Sequence, residues 1–333
     1  MKAVYCREFA PYTNLKVEEV PAPALPARGV RIAVDYASIS FATSLVVAGK
    51  YQRKPPLPFV PGTEVVGTVT ETAPGVTACK TGDKVLAILD WGGLAEEACT
   101  TEHTVYRLPA GIDPTHALHA GVSYGTAYGA LVWRGQIAAG QTLLVLGAAG
   151  GVGLAAVELG RVLGARVIGA ASSEAKCAVA REHGAAETID YSKEDLRERA
   201  KELTGGRGVD LVFDPVGGDL FDAAMRAIAM EGRMLTIGYA SGRIPTVPAN
   251  ILLVKDLTVA GFNFGAYVGW SPVDTRAKYE PQMRAMYEKL FGWVLDGTLR
   301  PVVSDLFPLE RYQEAQGLVM SRRSTGKVLI KMR

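Results

Sequence analysis

The 333-residue chain is 48% hydrophobic and 21% charged, which suits a globular protein of about two domains. Its 36 Lys and Arg against 34 Asp and Glu leave a formal charge of +2 with neither sign gathered into a run, so nothing in the charge speaks for a nucleic-acid partner. Cys6, Cys79, Cys99 and Cys177 are scattered without Cys-x-x-Cys spacing, which predicts neither a disulfide framework nor a four-thiolate zinc site and fits a reducing cytoplasm. Charges and a proline interrupt the first residues too early for a signal peptide, and no apolar run reaches about 18 residues. The expectation is a soluble, unprocessed cytoplasmic protein with no membrane or nucleic-acid partner.

In chain order, residues 30–39, 65–72, 83–89 and 103–109 are short β-branched runs punctuated by Gly and Pro, the texture of a small antiparallel β unit. From about residue 122 the texture changes. Residues 121–135 read as a helix, 142–148 as a buried strand, 151–165 as a helix and 166–172 as a second buried strand, which together make one βαβ unit. Helices at 174–184, 192–205 and 219–230 then alternate with strands at 186–190, 209–214, 232–238 and 257–261. Strands joined by helices in this way require a parallel sheet covered on both faces. A long helix over 275–297, a helix over 309–320 and a strand over 326–332 complete the chain. Periodicity leaves open whether they extend this sheet or return to the first unit.

Gly147, Gly150 and Gly153 stand between a strand and a helix with G-x-x-G-x-x-G spacing, a variant of the dinucleotide fingerprint. Such a turn aims free backbone N–H groups and the positive end of the helix dipole at one spot, and glycines let a pyrophosphate approach. About 20 residues past the last glycine, where an NAD site places a carboxylate, the chain has Ser172 and Ser173, then Glu174 and Lys176. Hydroxyls and an ammonium suit a 2′-phosphate, and Tyr191 after the third strand adds a phenol. NADPH is therefore favoured over NADH, with Glu174 leaving dual use open.

These residues, with the segments at 49–69, 125–131, 143–173 and 209–218, resemble the zinc-independent quinone oxidoreductases of the medium-chain dehydrogenase/reductase superfamily over essentially the whole chain. The resemblance implies an α/β protein with a GroES-like β-rich catalytic domain (1–121 and 265–333) and an inserted Rossmann domain, a doubly wound parallel sheet binding NADPH (122–264). It implies a cleft between the domains and a homodimer paired through Rossmann sheet edges. Cofactor contacts are implied for Thr126, for Ala149, Gly150, Gly151 and Val152 of the turn, for Ser172, Lys176 and Tyr191, for the strand-end residues Val216, Gly238, Tyr239, Phe262 and Phe264, and for Arg322. For the substrate it implies Phe41, Tyr51 and Asn263. Tyr51 matches a loop tyrosine that donates a proton or orients substrate in related enoyl reductases, and packing without chemistry is the alternative role.

The alcohol dehydrogenase branch has Gly-His-Glu where this chain reads Gly62-Thr63-Glu64, and a threonine hydroxyl is a poor zinc ligand. The upstream cysteine and the cysteine-rich lobe are missing too, and His116 and His119 lack an evident third ligand, so no metal is expected. Ser40 and Thr43 replace the family's usual asparagine and aspartate. Without a Lewis acid the hydride acceptor must itself delocalise negative charge. The leading reading is therefore NADPH:quinone reduction. Reduction of an enone or acryloyl-coenzyme A double bond is the alternative, with Arg53 and Lys54 either attracting coenzyme A phosphates or belonging to a solvated loop. A nucleotide-responsive RNA-binding or structural protein is the alternative from another class.

Overall fold

The computed structural model describes residues 1–332. The chain divides into two compact units, Met1–Val122 together with the chain from Phe264 onward, and Ser123–Asn263. Each break falls one residue from the expected position, so Val122 and Phe264 pack with the β unit.

In the first unit, strand Gly29–Ile39 is central, antiparallel to Glu64–Thr72 on one side and Lys327–Lys331 on the other. Lys84–Ile88 and Val105–Arg107 extend the sheet beyond Glu64–Thr72, and Glu97–Thr101 also pairs with the central strand. The tail therefore returns to this unit: Val303–Pro308 lies parallel to Lys327–Lys331 at the sheet's end. Alternate residues of these strands, among them Val30, Ile32, Val34, Val65 and Val328, are buried in one core, as the two-residue period of a half-buried sheet requires.

In the second unit six parallel strands run in the order Glu187–Asp190, Arg166–Ala171, Thr142–Leu146, Val209–Asp214, Ile228–Thr236, Thr258–Gly261. Chain order reverses at Thr142–Leu146, the switch point at which such sheets bind ligands beyond the strands' carboxyl ends. All five residues of Thr142–Leu146 are buried, as expected of a strand with helices on both faces.

Two segments depart from the periodicity. Residues 121–135 are helical only in pieces: π-helical turns at Ala120–Tyr124 and Gly129–Arg134 flank Gly125–Tyr128, and Gly121 breaks the helix at φ −56°, ψ −107°. The helix expected to run to residue 230 ends at Ala227, and Ile228 begins the next strand, because its backbone pairs with Val209.

Candidate active site

The second unit carries a glycine-rich turn between a strand and a helix. Strand Thr142–Leu146 ends at Gly147, whose φ of +62° is a left-handed conformation that glycine adopts without steric cost. The chain then turns through buried Ala148 and Ala149 to Gly150, which caps the twelve-residue helix Gly151–Val162. Gly150 is exposed, and Gly151 and Val152 are partly so, which leaves the helix start accessible. A Cβ on Gly153 would lie 2.1 Å from the Gly147 carbonyl oxygen, so only glycine lets the helix approach the turn this closely. A helix N-terminus lined in this way fits a pyrophosphate.

At the end of the neighbouring strand, Lys176 Nζ donates to Ser172 Oγ at 3.2 Å, and Ser173 caps helix Glu174–Glu182 by accepting from Lys176 N. The Tyr191 amide donates to the Ala171 carbonyl at 3.1 Å, which brings Tyr191 to the same strand end. The Glu174 carboxylate is paired with Arg181. An ammonium and a hydroxyl therefore stand where the fingerprint's acidic residue would be, a donor set that fits a 2′-phosphate.

At the next strand ends, Val216 N and Gly217 N donate to Asp214 Oδ1 at 2.7 and 2.9 Å. Asp214 is fully buried, its Oδ2 has no partner, and burial pushes its pKa up to about 6 despite the two amides. Sequence reasoning missed it, although an aspartate closing an apolar strand before Pro-Val-Gly-Gly was the available signal. Gly238 bonds back to the Asp214 carbonyl, and the Phe262 amide bonds to Thr236 O. Thr126 and Phe262 are buried, whereas Tyr239 and Asn263 are exposed. Gly129 leaves room for the Phe262 ring, since a Cβ there would lie 2.3 Å from it.

The first unit carries a pocket of its own. Tyr51, Thr43, Arg53, Asp90, Trp91 and Trp270 are among its walls. Ala42 and Thr43 line it rather than Phe41, which starts helix Phe41–Val47. Ser40 caps that helix: its Oγ accepts from Thr43 N at 3.2 Å and lies 3.0 Å from Thr43 Oγ1. The two hydroxyls thus satisfy each other and the helix end. Burial raises the Tyr51 phenol above its ordinary pKa, so it keeps its proton at neutral pH. Trp270 Nε1 donates to the Leu89 carbonyl at 2.9 Å, which fixes that wall. Phe264 packs edge-on against Trp270, with centroids 6.5 Å apart, and so belongs to this unit rather than to the nucleotide-binding one. Arg53 is tied to Asp90 and Lys54 is exposed.

Glu64 accepts from Ser38 Oγ at 2.5 Å, from Val122 N at 2.7 Å and from the Lys327 ammonium. Both of its oxygens are therefore occupied, and Thr63 beside it offers only a hydroxyl. Among the described residues no three His, Cys, Asp or Glu side chains converge to hold a metal. His119 is buried and His116 partly exposed on a helix capped by Asp113. Arg322 lies on the exposed turn after helix Tyr312–Met320, in the first unit. No described helix is long and apolar enough to cross a membrane.

A GroES-like β unit joined to a Rossmann sheet with a glycine-rich turn is the build of a medium-chain dehydrogenase/reductase. Residues 26–131 match the alcohol dehydrogenase GroES-like domain family and residues 151–279 the zinc-binding dehydrogenase family. The chain is 40% identical to the quinone oxidoreductase-like protein 2 homolog of Nematostella vectensis over 99% of its own length and 88% of the relative's. It is 36% identical to quinone oxidoreductase-like protein 2 of Rattus norvegicus, covering 100% and 92%. It matches a crystal structure of Escherichia coli quinone oxidoreductase complexed with NADPH at a TM-score of 0.91 and 28% identity, covering 100% of both chains. The chain belongs to the quinone oxidoreductase family of the medium-chain dehydrogenase/reductase superfamily, a family of oxidoreductases.

Proposed function

We propose that the protein is a zinc-independent, NADPH-dependent reductase whose acceptor is a quinone. The observation that carries this reading is the state of Gly62-Thr63-Glu64. The position of a zinc-ligating histidine is a threonine, and the adjacent carboxylate is bound to Ser38, Val122 and Lys327, so these residues do not fit a catalytic zinc. Reduction then depends on an acceptor that spreads negative charge over its own conjugated carbonyl.

When bound, the cofactor supplies the hydride. The glycine-rich turn takes its pyrophosphate, and Ser172 and Lys176 its 2′-phosphate. Tyr51, whose phenol keeps its proton because of burial, donates from Oη to the acceptor oxygen as charge develops there, and Trp91 and Trp270 exclude water. Quinone, NADPH and one proton thus yield hydroquinone and NADP⁺. The protein works as a homodimer in this reading: Thr258–Gly261 is an edge strand that pairing would protect, and Leu253 and Val254 on the preceding helix Ala249–Lys255 are 80% and 68% exposed.

The test is steady-state NADPH oxidation by chelator-treated protein with a naphthoquinone and with an acryloyl-coenzyme A ester, repeated with NADH and with Lys176→Ala. Quinone turnover that survives chelation supports the reading. Loss of the Lys176 ammonium is expected to raise the KM for NADPH about tenfold, the order of one charge-assisted hydrogen bond, and to leave NADH little affected. Preference for the thioester makes the protein a double-bond reductase.

A further inference from the structure

We infer that the pocket of the first unit selects acceptors bearing an anionic oxygen group, a carboxylate or sulfonate on the conjugated system, and that Arg53 is the side chain that reads it. This deepens the reductase reading by naming a class of acceptor.

The inference starts from an imbalance around Asp90. Arg276 Nη2 reaches both Asp90 oxygens at 2.7 Å, while Arg276 Nε donates to the Val268 carbonyl at 3.2 Å and lies 3.6 Å from Asp274. Arg276 is thereby engaged through Nε and Nη2, and it is buried. Arg53 shares the same carboxylate through a single bond, Nη1 to Asp90 Oδ1 at 2.7 Å. Its guanidinium lies over the Trp91 ring at 5.1 Å. Arg53 has no second carboxylate, and its Nε and Nη2 have no protein acceptor among the described residues.

Asp90 thus serves two guanidiniums, Arg276 has Asp274 as a second carboxylate, and Arg53, the one that lines the pocket, is left with Nε and Nη2 to spare. Its side chain is 29% exposed, so an acceptor entering the pocket can reach it. The cation–π contact with Trp91 holds the guanidinium in place, and its planar fork is the group that binds a carboxylate or sulfonate through two parallel N–H bonds. Of the neighbouring polar groups, Ser40 and Thr43 bond to each other, and Asp90, which also lines the pocket, has its oxygens taken by Arg276 Nη2 and Arg53 Nη1. The remaining walls, Trp91, Trp270 and Phe59, offer flat apolar surface to a planar ring. A planar conjugated carbonyl with one anionic substituent matches both features.

The experiment compares 1,4-naphthoquinone with its 2-sulfonate on the full chain with NADPH, in wild type, Arg53→Gln and Arg53→Lys. Wild type is expected to favour the sulfonate in KM. Arg53→Gln is expected to cut the ratio of the two KM values about tenfold, and Arg53→Lys to restore part of it as a point charge without the fork. Added salt should erode the wild-type preference. Thermal melting checks the fold of each variant, which Arg276 still supports through Asp90. Equal KM values in wild type, or a ratio unmoved by Arg53→Gln, would overturn the inference. Calorimetric binding of the same two quinones keeps the failures apart: if neither is reduced the quinone-reductase reading falls, while the anion preference stands or falls by the binding ratio.

Discussion

Glu64 and Lys327, 263 positions apart, meet as a buried ion pair across three adjacent strands of the first unit, with Ser38 on the strand between them donating to the same Glu64 oxygen. Both charged side chains are almost wholly buried. Removing one partner would leave an uncompensated charge, at a cost of about 3–5 kcal/mol. Glu64→Gln and Lys327→Met are each expected to lower the unfolding free energy by that order in urea titrations, while the double change to apolar residues costs less than either. Single variants that unfold at the wild-type urea concentration would show that the pair is not what locks the tail strand into the sheet.

The glycine turn separates packing from binding. An Ala at Gly153 would drive its Cβ into the Gly147 carbonyl, whereas at Gly150 the nearest atom to a new Cβ is 3.5 Å away and φ is −79°. Gly153→Ala is expected to lower the melting temperature and weaken NADPH binding at least tenfold. Gly150→Ala should melt close to wild type and still lose affinity, because its Cβ occupies the exposed space at the helix start. Fluorescence titration with NADPH alongside thermal melting checks both, and a Gly150→Ala protein that binds as tightly as wild type would place the pyrophosphate elsewhere.

What the sequence disclosed was what local pattern controls. Buried runs such as residues 142–146 and 209–214, each followed by a helical repeat, announce a parallel sheet, and Gly147, Gly150 and Gly153 mark its ligand-binding turn. What it concealed was set by partners far along the chain. Phe221, Met225 and Ile228 keep a helical spacing, yet pairing with Val209 draws Ile228 into a strand. Gly121 interrupts a helix-like run because the Glu64 carboxylate takes the Val122 amide and leaves no room for a Cβ, which would lie 2.5 Å from Oε2. Strand Val303–Pro308, exposed at the sheet's end and carrying Asp305 and Pro308, lacks the apolar alternation that would have flagged it. Of the candidate site, the glycine turn and the strand end with Ser172 and Lys176 were readable from spacing, whereas the strand-end residues Val216, Gly238, Tyr239 and Phe262 came only from the family resemblance. The charge balance at Asp90 was not, since Arg276 lies 186 positions away.

Asp214 turns its burial into a pH dependence of stability. Its carboxyl titrates near 6 in the folded chain and at about 3.9 when unfolded, so between these values the native state binds more protons than the unfolded one. Stability contributed by this group is therefore present at low pH and is lost as pH rises from about 4 to about 6, after which the cost is constant. Asp214→Asn keeps an oxygen to accept from Val216 N and Gly217 N and carries no charge to desolvate. Its Nδ2 replaces Oδ2, the oxygen that has no partner in the wild type. The variant is expected to gain on wild type by about 1–3 kcal/mol between pH 4 and pH 7, read from urea unfolding at several pH values. Parallel stability curves for the two proteins across that window would mean that Asp214 is already ionised at pH 4 in the folded chain, stabilised by the amides of its own turn.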